Sequence, residues 1–382
     1  MTATPESVVH PSSDAEVAEI MIDASREGVG IFPLSSGHRA HPVRGERPYL
    51  ELSTTRLDGI VEYEPADLTL TARAGTSLAT IDEALRAHGQ WAPFDPPNVG
   101  ERSIGGLAAV GDSGPLWMGY GELRNHVLGM TVVTGDGRML SLGGRVVKNV
   151  AGYDLLKPMV GSRGSLAVVT SVCLRVYPEP SVDRVLLLRR DRLSDLVAAA
   201  HSVGTAPVMP VSSVLVDRTG VNESPALVIR LHGVEETVGA DQASLEGHLG
   251  IVFEQAPSAT ALCTAVRDRG ATSNVVLVAS ALPSALSEVI RALERLEPET
   301  IVADTYAARF RVGLSQADPE AVGNARASIE RLGGTLRVAR FPADGAEVGP
   351  TSEPSPAEKD LIIGIEKTFD PMGVLWPARS RR

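Results

Sequence analysis

Leu68-Thr69-Leu70-Thr71-Ala72-Arg73-Ala74 alternates apolar and polar residues with the period of a half-buried strand. Gly75 ends it, Thr76 or Ser77 can cap a helix, and Leu78, Ile81 and Leu85 then share one helical face up to Gly89. Working outward, Ser12 to Gly28 has helical spacing, with Val17, Ile20 and Met21 on one side. Gly30 to Leu34 is a short apolar strand running into Ser35-Ser36-Gly37-His38-Arg39. Downstream, Gly129 to Leu142 holds two β-rich runs around Gly135-Asp136-Gly137, a hairpin signal because Asp-Gly favours positive φ. Leu166 to Tyr177 predicts a strand with Val168, Thr170, Val172, Leu174 and Val176 on one face, and Pro178 and Pro180 mark its exit. These elements, a strand–turn–helix and an antiparallel hairpin among them, make up a first domain over residues 1–180 whose boundary lies near the prolines.

After Ser181 the texture changes. Strands near Val182–Leu188, Val211–Val216 and Ala226–His232 are interleaved with helices near Leu193–His201 and Ala240–Leu249. A similar order recurs in Val275–Ala279, Ser284–Leu296, Glu299–Asp304, Arg309–Leu314, Pro319–Leu332 and Leu336–Phe341, a weak internal duplication. Residues 181–345 are therefore expected to form a smaller α/β domain. Gly345 to Glu358 reads as an exposed linker, and Ala357–Phe369 as a short helix leading to a tail. Residues 346–382 are expected to form this linker and a tail that returns to the first domain.

Composition narrows the function. The 382 residues carry a formal net charge of -11, which speaks against general attraction to nucleic acid or anionic lipid. Neither of the two cysteines, Cys173 and Cys263, has a CxxC partner, and the eight histidines form no HExxH or paired metal spacing, so neither a disulfide scaffold nor a metal site is expected. No apolar run approaches the roughly 18 residues of a membrane span, and Met1 to Pro11 lacks the pattern of a secretion signal. The expectation is a cytoplasmic protein without membrane insertion.

Glycine is abundant, at 37 residues, and three small-residue segments stand out: Pro33 to His38, Ser103 to Ala109 and Gly161 to Leu166. Such segments let backbone amides approach a pyrophosphate closely, although a loop glycine is more often only a turn residue. Neither GxGxxG nor GxxxxGK[ST] follows a suitable strand, which counts against classical nicotinamide dinucleotide binding and against ATP hydrolysis.

The order of Pro33–Arg39, Leu68–Gly75, Asp95-Pro96-Pro97, Ser103–Gly106, Asn125–Gly129, Thr134–Gly137, Gly143–Asp154 and Met159–Thr170 resembles the vanillyl-alcohol oxidase (PCMH-type) family of FAD-binding domains. Its most specific part, Lys148-Asn149-Val150-Ala151-Gly152-Tyr153-Asp154, is similar to the FAD-binding subunits of glycolate oxidase. The resemblance covers residues 15–180 well, the middle poorly and the last 25 or so partly. It implies an α+β fold: a two-subdomain PCMH-type FAD-binding domain, a smaller ferredoxin-like α/β cap and a C-terminal tail that returns to the FAD domain.

The resemblance also implies a binding set. Leu34, Ser35, Ser36, Gly37 and His38 would face the FAD pyrophosphate with Ser103, Ile104, Gly105, Gly106 and Ala109. Gly161, Gly164 and Val169 would line the adenine end, Pro97, Gly111 and Gly114 the isoalloxazine side, and Lys148, Asn149 and Tyr153 would contact flavin or substrate. Some positions depart from the family: the first loop has fewer glycines, Arg124-Asn125-His126 replaces Arg-Asp, and the tail reads Leu375-Trp376-Pro377-Ala378-Arg379 without its usual asparagine. His38 occupies the position that bonds FAD covalently in some relatives.

Oxidation of a 2-hydroxy acid needs a hydride acceptor, a base and a cation for the carboxylate. Only the flavin module is legible, no Gly-Asp-Gly-Asn motif followed by histidine occurs, and the catalytic residues stay unassigned. The resemblance therefore implies the FAD-binding subunit of a glycolate oxidase or dehydrogenase, partnered by a homologous catalytic flavoprotein subunit and an iron–sulfur subunit. Through such partners it can sit peripherally at the inner membrane. Its rivals are a self-sufficient FAD-dependent oxidase and a flavin-free scaffold.

Overall fold

The computed structural model describes residues 7–35, 48–144, 154–218, 224–340, 342, 348–349 and 352–375. Two sheets dominate the first half of the chain. In the smaller, Tyr49–Ser53 lies between Val8–Val9 and Gly30–Leu34, all parallel. In the larger, Ile60–Glu64, Thr69–Arg73, Ala167–Arg175, Val127–Thr134 and Met139–Gly143 follow one another antiparallel. These are the two subdomains expected of the fold.

Helix Asp14–Glu27 starts at Ser13, whose side chain accepts from Glu16 N–H, and stops at Gly28 with φ 72°. Its Val17, Ala18 and Met21 pack with Ile31, Leu52, Leu57, Val133 and Val168 between the two sheets. Helix Leu78–Arg86, capped by Ser77, buries Leu78, Ile81 and Leu85 against the larger sheet, as its periodicity predicts. In the hairpin between Val127–Thr134 and Met139–Gly143, only Gly137 of the Asp-Gly pair takes positive φ, at 83°.

Strand Ala167–Arg175 differs from its predicted alternation. Its pairing jumps from Ser171 to Val169 opposite Thr131 and Val132, leaving Thr170 as an extra residue. The bulge reverses the pleat. Val172 and Leu174 therefore face the same core as Ala167 and Val169, while Val168 points to the core of helix Asp14–Glu27.

The second half forms one eight-stranded sheet in the order Glu254–Gln255, Val182–Arg189, Ala226–Gly233, Ser212–Val216, Thr300–Asp304, Arg309–Leu314, Val275–Ser280, Thr335–Arg340. Read along the chain, it is a β-α-β-β-α-β unit repeated. The second strands of the two units, Ser212–Val216 and Thr300–Asp304, pair antiparallel and join the halves into one sheet. The duplication that is faint in sequence is thus explicit in topology. Helices from both units cover one face around Leu196, Leu245, Leu286, Ile290 and Ile329. On the other face, helix Ala259–Asp268, missed by periodicity, packs Leu262 and Val266 on Val185, Val214 and Val228.

Helix Pro356–Phe369 brings the chain back to the first half, where Gly135 N–H donates to Phe369 O at 2.9 Å. Leu375 bridges to Ile31 in parallel, and Ile31 N–H donates to Val374 O at 2.8 Å. Buried Asp370 fixes this return by accepting from Val374 N–H at 2.7 Å and Leu375 N–H at 2.8 Å. Asp370→Ala leaves both donors without their acceptor and should lower the unfolding free energy by about 2 kcal/mol or more. Asp370→Asn, which keeps one acceptor, should lose less; urea unfolding with an unchanged m-value measures both.

Candidate functional site

A cleft of about 800 Å³ separates the first half of the chain from the face of the eight-stranded sheet turned away from the helices Leu286–Glu294 and Pro319–Arg331. Its floor is helix Ile104–Val110 and the segment after it. Ser103 caps that helix by accepting from Gly106 N–H at 3.2 Å, and Gly111, φ 67°, ends it. The second small-residue segment, Ser103 to Ala109, is therefore a cap and the helix it starts, with Ile104, Gly105 and Gly106 in the first turn.

That turn lies against strand Thr69–Arg73 and its exit. Ile104 N–H donates to Thr76 O at 3.0 Å and Gly105 N–H to Ala74 O at 2.8 Å. A Cβ on Gly105 would lie 2.5 Å from Ala74 Cβ and 2.7 Å from Ala74 O, so only glycine permits this approach. A Cβ on Gly106 would meet Ser35 Oγ at 2.1 Å, which places the end of the first small-residue segment directly on the second. The third joins them: Gly161 N–H donates to Ala108 O at 3.0 Å, Arg163 N–H donates to Ala109 O at 2.6 Å, and Gly164, φ 76°, packs on Pro33.

Eleven of the residues predicted to bind the cofactor line this one cleft: Leu34, Ser35, Pro97, Ser103, Gly105, Gly106, Ala109, Gly111, Gly114, Gly164 and Val169. Ile104 instead points into the hydrophobic core, and Gly161 supports Gly111 from behind. Ser36, Gly37, His38, Lys148, Asn149 and Tyr153 lie outside the described residues. The amides of Ile104, Gly105 and Gly106 already have protein acceptors, so this turn offers a ligand a flat surface and close approach rather than three free donors.

The opposite wall escaped the sequence reading. Arg309, Arg311 and Arg337 project from the sheet into the cleft. Arg309 donates to Glu122 at 2.6 Å and stacks over Trp117, its Cζ 4.3 Å from the ring centroid, thereby tying the sheet to the floor segment. On the floor, Arg102 pairs with Asp112 at 2.9 Å. The available signal was the alternation Arg309-Phe310-Arg311-Val312, in which buried Phe310 and Val312 put the arginines on the other face.

Behind the floor runs a charged seam. Asp183 is gripped by both Nε and Nη2 of Arg230, at 2.8 and 2.7 Å, and lies 3.3 Å from His232 Nε2. Tyr120 OH meets His232 Nδ1 at 2.9 Å, crossing from the first half to the second. Although burial opposes it, the Arg230 and His232 contacts hold Asp183 well below the usual carboxylate range. Burial pushes Asp95 up to about 7, against the pull of Leu116 N–H, Arg230 and Arg267. Asp95 Oδ1 accepts from Leu116 N–H at 3.0 Å, and a Cβ on Gly114 would fall 1.7 Å from Asp95 O, so Asp95 fixes the floor segment next to Gly114.

Residues 5–143 match a protein-family model described as FAD binding domain. The chain carries an FAD-binding domain. FAD is its cofactor, and the small residues Ser35, Ser103, Gly105, Gly106 and Gly111 along the cleft fit it by leaving room beside the backbone, while the Cβ positions of Gly105, Gly106 and Gly114 are closed by Ala74, Ser35 and Asp95 of the protein itself. Over 191 residues the chain is 41% identical to glycolate oxidase subunit GlcE of Escherichia coli (strain K12), covering 50% of this chain and 52% of that protein. Over 325 residues it is 26% identical to glycolate oxidase subunit GlcD of Bacillus subtilis (strain 168), covering 81% and 66%. The match thus spans about half of the first relative's length and about two thirds of the second's. A solved structure of alkyldihydroxyacetonephosphate synthase superposes with TM-score 0.71 at 17% identity, over 98% of this chain and 77% of that one, so the FAD-binding domain and the sheet above it share that fold.

Asp95 gives the site a pH signature. Its folded pKa of about 7 exceeds the ordinary 3.8, so between these values the folded state holds a proton that the unfolded state has released. Stability should therefore fall as pH rises through that window and level off above it. Urea unfolding of Asp95→Asn from pH 4 to 8 should show a shallower decline, with Asp304, raised by burial to about 6, supplying part of the remainder, since the amide keeps an acceptor for Leu116 N–H and never ionises; an unchanged slope would assign the decline to other groups.

Proposed function

We propose that this chain is the FAD-binding subunit of an oxidoreductase that oxidises a 2-hydroxy acid, with glycolate to glyoxylate as the reaction suggested by its relatives. One observation carries the reading: the floor of the FAD-binding domain faces an arginine-bearing sheet across a single cleft, so cofactor and anionic substrate would share one space. When bound, FAD supplies a two-electron acceptor for the C–H bond of the alcohol. The chain's residues would do the rest of the holding: Ser35, Ser103, Gly105 and Gly106 beside the pyrophosphate, Pro97, Gly111 and Gly114 along the isoalloxazine side, and Gly164 and Val169 toward the adenine. Ser36, Gly37, His38, Lys148, Asn149 and Tyr153 complete the proposed set.

The arginine wall gives a carboxylate its cation. The carboxylates lining the cleft are engaged elsewhere, Asp112 by Arg102 and Asp304 by the N–H groups of Tyr306 and Ala307 at 3.0 and 2.7 Å. With no Gly-Asp-Gly-Asn motif followed by histidine in the sequence, we place the catalytic base on a homologous flavoprotein subunit. An iron–sulfur subunit would receive the electrons. The assignment of residues 1–180 to the flavin domain, 181–345 to the cap and 346–382 to linker and tail belongs to the same proposal. We further propose a cytoplasmic protein that meets the inner membrane through its partners; among the described residues no helix is long and apolar enough to cross one.

Acid precipitation of the purified chain tests the reading. FAD should appear in the supernatant, and 2-hydroxy acid should bleach it slowly in the lone chain and rapidly after co-purification with the partner subunits. A colourless protein would defeat the flavin assignment, whereas full turnover by the lone chain would defeat the subunit assignment.

A further inference from the structure

The turn that carries Pro97 into the cleft has one backbone donor to offer. In Asp95-Pro96-Pro97-Asn98 the two prolines have no N–H, and Asn98, in the left-handed region at φ 56°, leads the chain into the short 3-10 helix Val99–Glu101. That donor reaches the other half of the chain: Asn98 N–H donates to Asp268 Oδ1 at 2.8 Å. The side-chain ties described above, Tyr120 to His232 and Arg309 to Glu122, engage the segment after Gly114 and not this turn.

Asp268 is the last residue of helix Ala259–Asp268. Arg267 Nε and Nη2 hold its two oxygens at 2.9 and 2.7 Å. Although burial opposes it, these contacts and the Asn98 N–H keep its carboxyl below the usual carboxylate range, so the turn is held by a charged acceptor. The same helix end cradles Arg311, whose Nε donates to Arg269 O at 3.0 Å and whose Nη2 donates to Arg267 O and, at 3.5 Å, to Val266 O. Carbonyls at a helix C-terminus lack partners within the helix and carry partial negative charge, so they fix a guanidinium in place. Four consecutive residues, 266–269, therefore grip both sides of the cleft, the wall through their backbone and the floor through one side chain. Pro97, Asn98 and Arg311 line the cleft, whereas Asp268 is not part of its lining.

We propose that Asp268 is a positioning residue for the flavin site: it ties the Pro97–Asn98 turn to the cradle of Arg311 and so sets the distance from the isoalloxazine side of the floor to a cation of the opposite wall. This rests on the FAD-binding reading above. A tie that served folding alone would lower stability and leave the flavin and the ligand affinity of the folded protein as they are.

Two readouts test it. In the flavin-free chain, deuterium uptake of a peptide covering 95–98 reports on Asn98, because residues 96 and 97 have no amide to exchange. Exchange there should be at least about tenfold faster in Asp268→Ala, and in the milder Asp268→Ser, than in the unaltered chain. In the FAD-loaded protein, both variants should show displaced flavin absorption bands, and titration with glyoxylate should give a Kd about tenfold higher. Asp268→Asn, whose amide oxygen still accepts from Asn98 N–H, should stay within about threefold of the unaltered protein in exchange and in Kd. Unchanged exchange at Asn98 in both disruptive variants, or faster exchange with unmoved flavin bands and glyoxylate affinity, would overturn the proposal. Flavin released by acid separates this inference from the reading beneath it: its absence from the unaltered protein overturns the FAD-binding reading and the flavin role of Asp268 with it, whereas flavin present with an unmoved spectrum and Kd in the variants overturns this inference alone.

Discussion

Everything at the cleft depends on how closely helix Ile104–Val110 can approach the strand beneath it. Gly105 N–H bonds to Ala74 O at 2.8 Å, and a single methyl group at Gly105 would close to 2.5 Å on Ala74 Cβ. That contact sets the height of the floor. Gly111 stacks on Gly161 in the same manner, its added Cβ falling 2.8 Å from Gly161 Cα, so the third small-residue segment is held to the first two. Interiors pack too densely for such approaches to be gained by relaxation, so the small residues are required by geometry before any ligand is considered.

The floor would be of little use without a roof at a fixed distance, and the charged seam provides it. Tyr120, His232, Asp183 and Arg230 connect the two halves through short polar contacts, while Arg309 reaches Glu122 and Trp117 at the cleft. Trp91 meets Tyr120 edge-on and His232 at a tilt, with centroids 5.4 Å apart in each case, and so packs beside the seam. Half-buried ion pairs of this kind add little net stability but strongly disfavour arrangements in which one partner is left alone. They orient the sheet over the floor.

Local pattern made the elements legible where one rule governed them. Leu78, Ile81 and Leu85 announce their helix, and Ser77 and Gly28 mark helix ends because capping is a local matter. The bulge at Thr170 was not legible, since an extra residue is recognised only against the partner strand. The doubled β-α-β-β-α-β unit was faint for a similar reason: topology repeats while side chains do not, and the joining of Ser212–Val216 to Thr300–Asp304 is a long-range pairing. At the site, the glycine segments could be assigned through family resemblance, and eleven of those residues do converge on one cleft. The arginine wall was hidden because the resemblance is poor in the middle of the chain, where an Arg-x-Arg alternation also describes an ordinary solvent-facing strand.

The central claim is that FAD occupies the space between the Ser103–Gly114 floor and the arginine-bearing face of the sheet. Amide hydrogen exchange of the flavin-free chain, with and without added FAD, tests this most directly. Added protection is expected both in 103–114 and in the facing strands 275–280 and 309–314, with little change in helices 286–294 and 319–331 on the far side of the sheet. Protection confined to regions away from both floor and facing strands would contradict it.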